Sequence, residues 1–131
     1  MTSKRQSILC VDDEERDLQL QRATFEAAGF HVAVARDLAQ VNHALKQHDV
    51  DAVVLDYRLL NADPINVAIS VRKQHPRMPI VILSGYIEDI PEYFKRAVDA
   101  CLTKHDDREL WINTLHAQLG SQYGATGTNG D

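Results

Sequence analysis

Four apolar segments of this chain each run into polar residues able to hold a cation or a phosphoryl group. Ile8-Leu9-Cys10-Val11 leads to Asp12 and Asp13, and Ala52-Val53-Val54-Leu55 leads to Asp56. Pro79-Ile80-Val81-Ile82-Leu83 leads to Ser84, and Cys101-Leu102-Thr103 leads to Lys104. Buried parallel strands would bring three carboxylates, a hydroxyl and an ammonium to one sheet edge. Open α/β sheets bind their ligands at that edge. Crowded carboxylates repel one another, which favours a cation among them, and Mg²⁺ suits a few carboxylates, retained waters and a phosphate oxygen. An Asp that ends a buried apolar strand costs free energy unless it is paired or metal-bound. Asp56 is therefore the candidate nucleophile, since a carboxylate can attack phosphorus to give an acyl phosphate. Ser84 would donate a hydrogen bond to a phosphoryl oxygen, and Lys104 would supply a point charge to another. Each residue alone has a plainer reading: a helix-capping pair at Asp12-Asp13, a turn-capping hydroxyl at Ser84, a surface lysine at Lys104. The argument rests on four separate segments supplying compatible groups to one edge.

The elements that must position these groups alternate along the chain. Strands are expected at Ile8–Val11, His31–Ala35, Ala52–Leu55, Ile80–Leu83 and Cys101–Thr103. A helix over Glu14–Ala28 carries Leu18, Phe25 and Ala28 on one stripe, and Gly29 stands where a helix-ending glycine belongs. Asp37 caps a helix carrying Leu38, Val41 and Leu45, and a third helix runs from about Ile65 to Gln74 before Pro76. Pro91 opens a short helix reaching about Val98. Asp106 and Glu109 read as an N-cap and its N3 partner for a last helix with Trp111, Ile112, Leu115 and Leu119 on one face. Five βα units predict a single α/β domain: a doubly wound, flavodoxin-like, five-stranded parallel sheet with helices on both faces. Residues 1–119 form that domain, and the Gly-, Ser- and Thr-rich stretch 120–131 reads as a disordered tail or linker stub.

The totals fit. A chain of 131 residues, 44% hydrophobic and 25% charged, is long enough for one real core. A net charge of -5 argues against direct nucleic-acid binding. No apolar run is long enough to span a bilayer, and no signal-peptide core follows Lys4 and Arg5, so a cytoplasmic location is expected. Cys10 and Cys101, both in expected buried strands, read as inert small hydrophobes. Phosphate-binding glycine loops, nucleophile elbows and paired metal-binding histidines are absent from the sequence.

At these residues the chain resembles the response-regulator receiver domains of two-component signalling. ILCVDDEE, AVVLDYRLL, PIVILSGY and CLTK occur in the family's order and spacing between about Gln6 and Leu119. The resemblance implies phosphorylation of Asp56 by a histidine kinase or a histidine phosphotransfer protein. It implies Mg²⁺, with Mn²⁺ as a substitute, held by Asp13 and Asp56 directly, by Asp12 partly through water, and by the Arg58 carbonyl. It implies that Ser84 and Lys104 hold the phosphoryl oxygens, with Ser84 drawing its loop toward the phosphate as a two-state switch. Such a domain catalyses only its own phosphorylation and dephosphorylation, meets an unknown downstream protein, and is a monomer or weak dimer.

Several positions depart from the family pattern. Cys101 stands where an aromatic residue usually swings inward, so the coupling that relies on that ring is absent or carried otherwise, with Tyr86 readable equally as a substitute or as an ordinary loop residue. His105 replaces a proline that often follows a cis bond. A cis bond before a non-proline residue costs about 3–4 kcal/mol, so a trans Lys104–His105 bond and a shifted loop are expected. Leu60 replaces another proline, a glycine is missing near Pro64 and Ile65, and the short segment between Ser84 and Lys104 predicts a short or mobile fourth helix. These departures motivate a second reading, a phosphorylation-independent interaction module that keeps the acidic site as a relic. A third, a metal-dependent phosphatase, lacks the second acid/base Asp, since Arg58 stands two residues after Asp56.

Overall fold

The computed structural model describes residues 5–127, those from 121 onward by their backbone. The element order is β1 (Ser7–Val11), α1 (Glu15–Ala27), β2 (His31–Ala35), α2 (Leu38–Gln47), β3 (Ala52–Leu55), α3 (Pro64–Gln74), β4 (Ile80–Ser84), α4 (Glu92–Ala97), β5 (Ala100–Thr103) and α5 (Arg108–Gly127), with a 3₁₀ turn at Ile87–Asp89 before α4. The strands form one parallel sheet in the order β2-β1-β3-β4-β5. This is the expected doubly wound arrangement. The chain reverses direction across the sheet between β1 and β3, which opens a crevice at the carboxyl ends of those strands.

Side chains alternate across each strand, so each strand feeds two cores. Leu9, Val11, Val53, Leu55, Ile80 and Ile82 pack with Val41, Val67, Val71 and Phe94 from α2, α3 and α4. Ile8, Cys10, Val54, Val81 and Leu83 pack with Leu18, Phe25, Trp111 and Leu115 from α1 and α5. The alternation is what turns continuous apolar runs into strands covered on both faces.

Local signals set the helix ends. The Asp37 carboxylate accepts from Gln40 N at 2.8 Å, and that of Asp63 from Ile65 N at 2.9 Å. Gly29 ends the α1 segment at φ 99°, a conformation that glycine adopts without strain. The last helix starts one residue later than expected. Asp107 caps it, accepting from Glu109 N at 3.1 Å. Asp106 instead turns back and accepts from Thr103 N at 2.8 Å, tying the end of β5 to the loop. Pro91 is the N-cap of α4 rather than part of its first turn. Helix α4 spans 6 residues, the short fourth helix foreseen from the sequence. Helix α5 continues to Gly127, past the Leu119 limit of the expected domain, and residues 128–131 lie outside the described residues. Among the described residues every peptide bond is trans, Lys104–His105 included.

Trp111 joins α5 to the sheet twice. Its ring is buried against Phe25, with centroids 6.2 Å apart, and its Nε1 donates to Thr103 O at 3.1 Å. Trp111→Ala should cost roughly 3–5 kcal/mol of unfolding free energy, read as a fall in urea midpoint with little change in slope.

Candidate phosphoacceptor and metal site

The sheet register brings the expected groups together. Asp56 N donates to Val11 O at 2.9 Å, so the carboxyl ends of β1 and β3 are level where Asp12 and Asp56 emerge. Lys104 N donates to Ser84 O at 2.9 Å, which levels β4 and β5 in the same way. Carboxylate oxygens of Asp12, Asp13 and Asp56 all lie within 4.8 Å of one another. Asp12, Asp56 and Ser84 are buried, and Asp13 is half-buried at the rim.

Each carboxylate is held by its own set of donors. Asp12 Oδ1 accepts from Glu14 N at 3.0 Å, and Asp12 Oδ2 accepts from Gln21 Nε2 at 3.2 Å and Lys104 Nζ at 2.9 Å. Asp56 Oδ1 accepts from Arg58 N at 3.1 Å, and its Oδ2 accepts from Lys104 Nζ at 3.1 Å. Asp13 accepts from Leu60 N, so the loop after β3 closes on the loop after β1. Ser84 Oγ accepts from Tyr86 N at 3.4 Å. The Arg58 guanidinium pairs with Asp89 and lies over the Tyr86 ring, 4.7 Å from its centroid.

The electrostatics follow from this crowding. Burial, then the neighbouring Asp12 charge, push the Asp56 carboxyl up to about 6 against the pull of Lys104 and the Arg58 N–H. Burial pushes the Lys104 ammonium down, but hydrogen bonds to Asp17 and Asp12 and the charge of Asp56 outweigh it and leave Lys104 above its ordinary value. A hard oxygen-donor set with excess negative charge and an acceptor carboxyl destabilised as an anion fits a divalent cation. The donor chemistry, rather than any single distance, makes the fit.

Asp12, Asp13, Asp56 and Lys104 therefore meet in one crevice, Ser84 ends the strand beside Lys104, and Arg58 borders the site. Two further residues were not singled out from the sequence: Asp17, which accepts from Lys104 Nζ at 2.6 Å, and Gln21, which holds Asp12. Their spacing of four puts both on one face of α1, and that polar pair next to Asp12-Asp13 was the available signal. The cysteines differ from each other. Cys10 is buried and its thiol is pushed up by burial and by Asp12, whereas Cys101 is only half-buried, with burial raising its thiol as well.

A parallel sheet of this order, with acidic groups at its switch point beside a strand-end lysine, defines a receiver-type fold. The model of the response regulator receiver domain family matches residues 8–116, and the chain belongs to that family. It is 28% identical over 128 residues to the transcriptional regulatory protein GlrR of Escherichia coli, covering 96% of this chain and 29% of that protein. The chain thus spans under a third of this curated relative. NtrX from Brucella abortus superposes with a TM-score of 0.84 at 24% identity, over 94% of this chain and 29% of that one. The response regulator TrrA from Thermotoga maritima, solved in complex with Mg²⁺ and BeF, superposes at 0.78 and 20% identity, over 86% and 98%. Among the described residues no helix is long and apolar enough to cross a membrane.

The pKa of Asp56 sets a pH dependence. Its folded value lies above the ordinary 3.8, so the native state binds this proton more tightly than the unfolded chain does. The resulting stability is full below about 3.8 and is lost as pH rises through about 6. Without divalent cations, Asp56→Asn should be more stable than wild type by about 1–3 kcal/mol at pH 8 and nearly equal to it at pH 4. Urea unfolding at the two pH values checks this, and added Mg²⁺ should narrow the gap at pH 8.

Proposed function

We propose that this chain is a phosphoacceptor receiver whose Asp56 takes a phosphoryl group from a histidine kinase or a histidine phosphotransfer protein. Asp56 Oδ attacks phosphorus, the bond from phosphorus to the donor nitrogen breaks, and an acyl phosphate forms. The observation that carries this reading is the Asp56 carboxylate itself, buried at a strand end and within 3.1 Å of the Lys104 ammonium. A carboxylate so placed has no structural need that an amide would not meet at lower cost.

In this reading Asp13 and Asp56 hold Mg²⁺ directly, Asp12 acts partly through water, and the Arg58 carbonyl is a further ligand. Arg58 N already bonds to Asp56, which keeps that residue against the site. When bound, Mg²⁺ neutralises charge that develops on the phosphoryl oxygens. Ser84 turns its hydroxyl from Tyr86 N toward one oxygen, and Lys104 meets another. The chain acts on no external substrate and changes which downstream protein it meets. Residues 1–119 make up this unit, and 120–131 are a tail or linker stub.

Incubation with Mg²⁺ and acetyl phosphate, followed by intact mass, should add one phosphoryl group to the wild type and none to Asp56→Asn. No gain from acetyl phosphate or from a phosphohistidine donor, with folding and Mg²⁺ binding intact, would favour the constitutive interaction module.

Arg58 and Tyr86 flank the path of the water that would attack the acyl phosphate. Their stacked side chains, with Arg58 pinned by Asp89, would cover that path. Arg58→Ala and Tyr86→Ala should each hasten dephosphorylation several-fold, which corresponds to about 1 kcal/mol in the barrier. Unchanged rates in both variants would remove shielding from the account.

A further inference from the structure

The Lys104 ammonium has three N–H donors, and each meets a different carboxylate. They go to Asp17 Oδ2 at 2.6 Å, Asp12 Oδ2 at 2.9 Å and Asp56 Oδ2 at 3.1 Å. The shortest contact is therefore made to a residue outside the Asp12–Asp13–Asp56 group. Asp17 sits in the first turn of α1, whose entry is fixed by the Glu14 N bond to Asp12. The lysine head is well covered, with 19% of its side chain exposed, and Asp17 closes the solvent side with 35% exposed.

The three partners differ in what a divalent cation would do to them. Asp12 and Asp56 belong to the cluster that would hold the cation, so the cation competes with the ammonium for the same carboxylates. Asp17 does not belong to it. A lysine deprived of two of its three partners has a flexible four-carbon stem and would spread over many rotamers. Asp17 is the contact that survives.

We propose that Asp17 is a positioning residue. It anchors the Lys104 ammonium while Asp12 and Asp56 are engaged by the cation, and so leaves the other N–H groups aimed at the phosphoryl oxygen arriving on Asp56. This rests on the phosphoacceptor reading above. The opposite role, a competitor that withholds Lys104 from the phosphoryl group, would place the same residues in contact but predicts the opposite kinetics.

Asp17→Ala, Asp17→Asn and Asp17→Glu would be compared with wild type in saturating Mg²⁺, by two measurements. The first is acetylation of Lys104 by an amine-reactive ester, read by peptide mass against the exposed Lys73 in the same sample. The second is the rate of phosphorylation by acetyl phosphate. Loss of one charge-assisted hydrogen bond should make Asp17→Ala acetylate at Lys104 about tenfold faster and phosphorylate about tenfold slower, with Asp17→Asn intermediate and Asp17→Glu partly restored. Unchanged acetylation in Asp17→Ala would overturn the anchor, and faster phosphorylation would establish the competitor instead. If the wild type accepts no phosphoryl group, the phosphoacceptor reading fails by itself, and the acetylation arm still decides whether Asp17 holds the lysine.

Discussion

The arrangement depends on one ammonium shared among three carboxylates at the end of an apolar sheet. Lys104 reaches Asp12, Asp17 and Asp56 from the end of β5 and so ties together the carboxyl ends of β1, β3 and β5 and the first turn of α1. Like charges in a buried space repel strongly, and a single cation cannot neutralise all of them. The site is therefore left with an excess of negative charge. Burial first, and then the charge of Asp12, push the Asp56 carboxyl up to about 6 despite the lysine. A group held in a less favourable ionised state than water would give it is stabilised by anything that takes up its charge. A cation does so by coordination, and an acyl bond does so by removing the free carboxylate.

This strain is tolerable because the sheet beneath is overdetermined. Each central strand buries both faces, and its residues divide alternately between the core under α2, α3 and α4 and the core under α1 and α5. A one-residue slip of β3 against β1 would exchange the two faces and move Asp56 away from Asp12. The packing that fixes register thus also fixes the carboxylate spacing. The acidic cluster is held by apolar side chains that never touch it.

Most of this was legible in the sequence because it is local or periodic. Continuous apolar runs of three to five residues, each ending in a polar group, marked strand positions to within a residue, and parallel pairing then required convergence. Asp37 as a cap and Gly29 as a helix end were readable for the same reason. What escaped depended on side-chain direction in three dimensions. Asp106 and Asp107 are both able to cap a helix, and the choice is made by Asp106 bonding back to Thr103 N. Asp17 and Gln21 look like solvent-facing residues of an amphipathic helix until α1 is seated beside Asp12. The half-buried state of Cys101 reflects the edge position of β5, which periodicity within four residues does not reveal.

The departures from the family pattern bear on how the site connects to the rest of the molecule. Cys101 packs on the margin of the α2–α4 core and carries no ring that could swing between inside and outside. A different set of contacts spans from the acceptor to the segment after β4. Asp56 Oδ1 holds Arg58 N, and the Arg58 side chain lies over Tyr86 and pairs with Asp89 in the 3₁₀ turn before α4. Ser84 Oγ is bonded to Tyr86 N, so the same tyrosine is held from its backbone side as well. If Ser84 turns toward a phosphoryl oxygen, that bond is lost. Tyr86 is therefore held by two residues bordering the site, Arg58 and Ser84, and more than half of it is exposed. In a domain without the usual buried ring, these contacts join the Asp56 carboxylate to the 3₁₀ turn before α4, over the surface of the crevice rather than through the core.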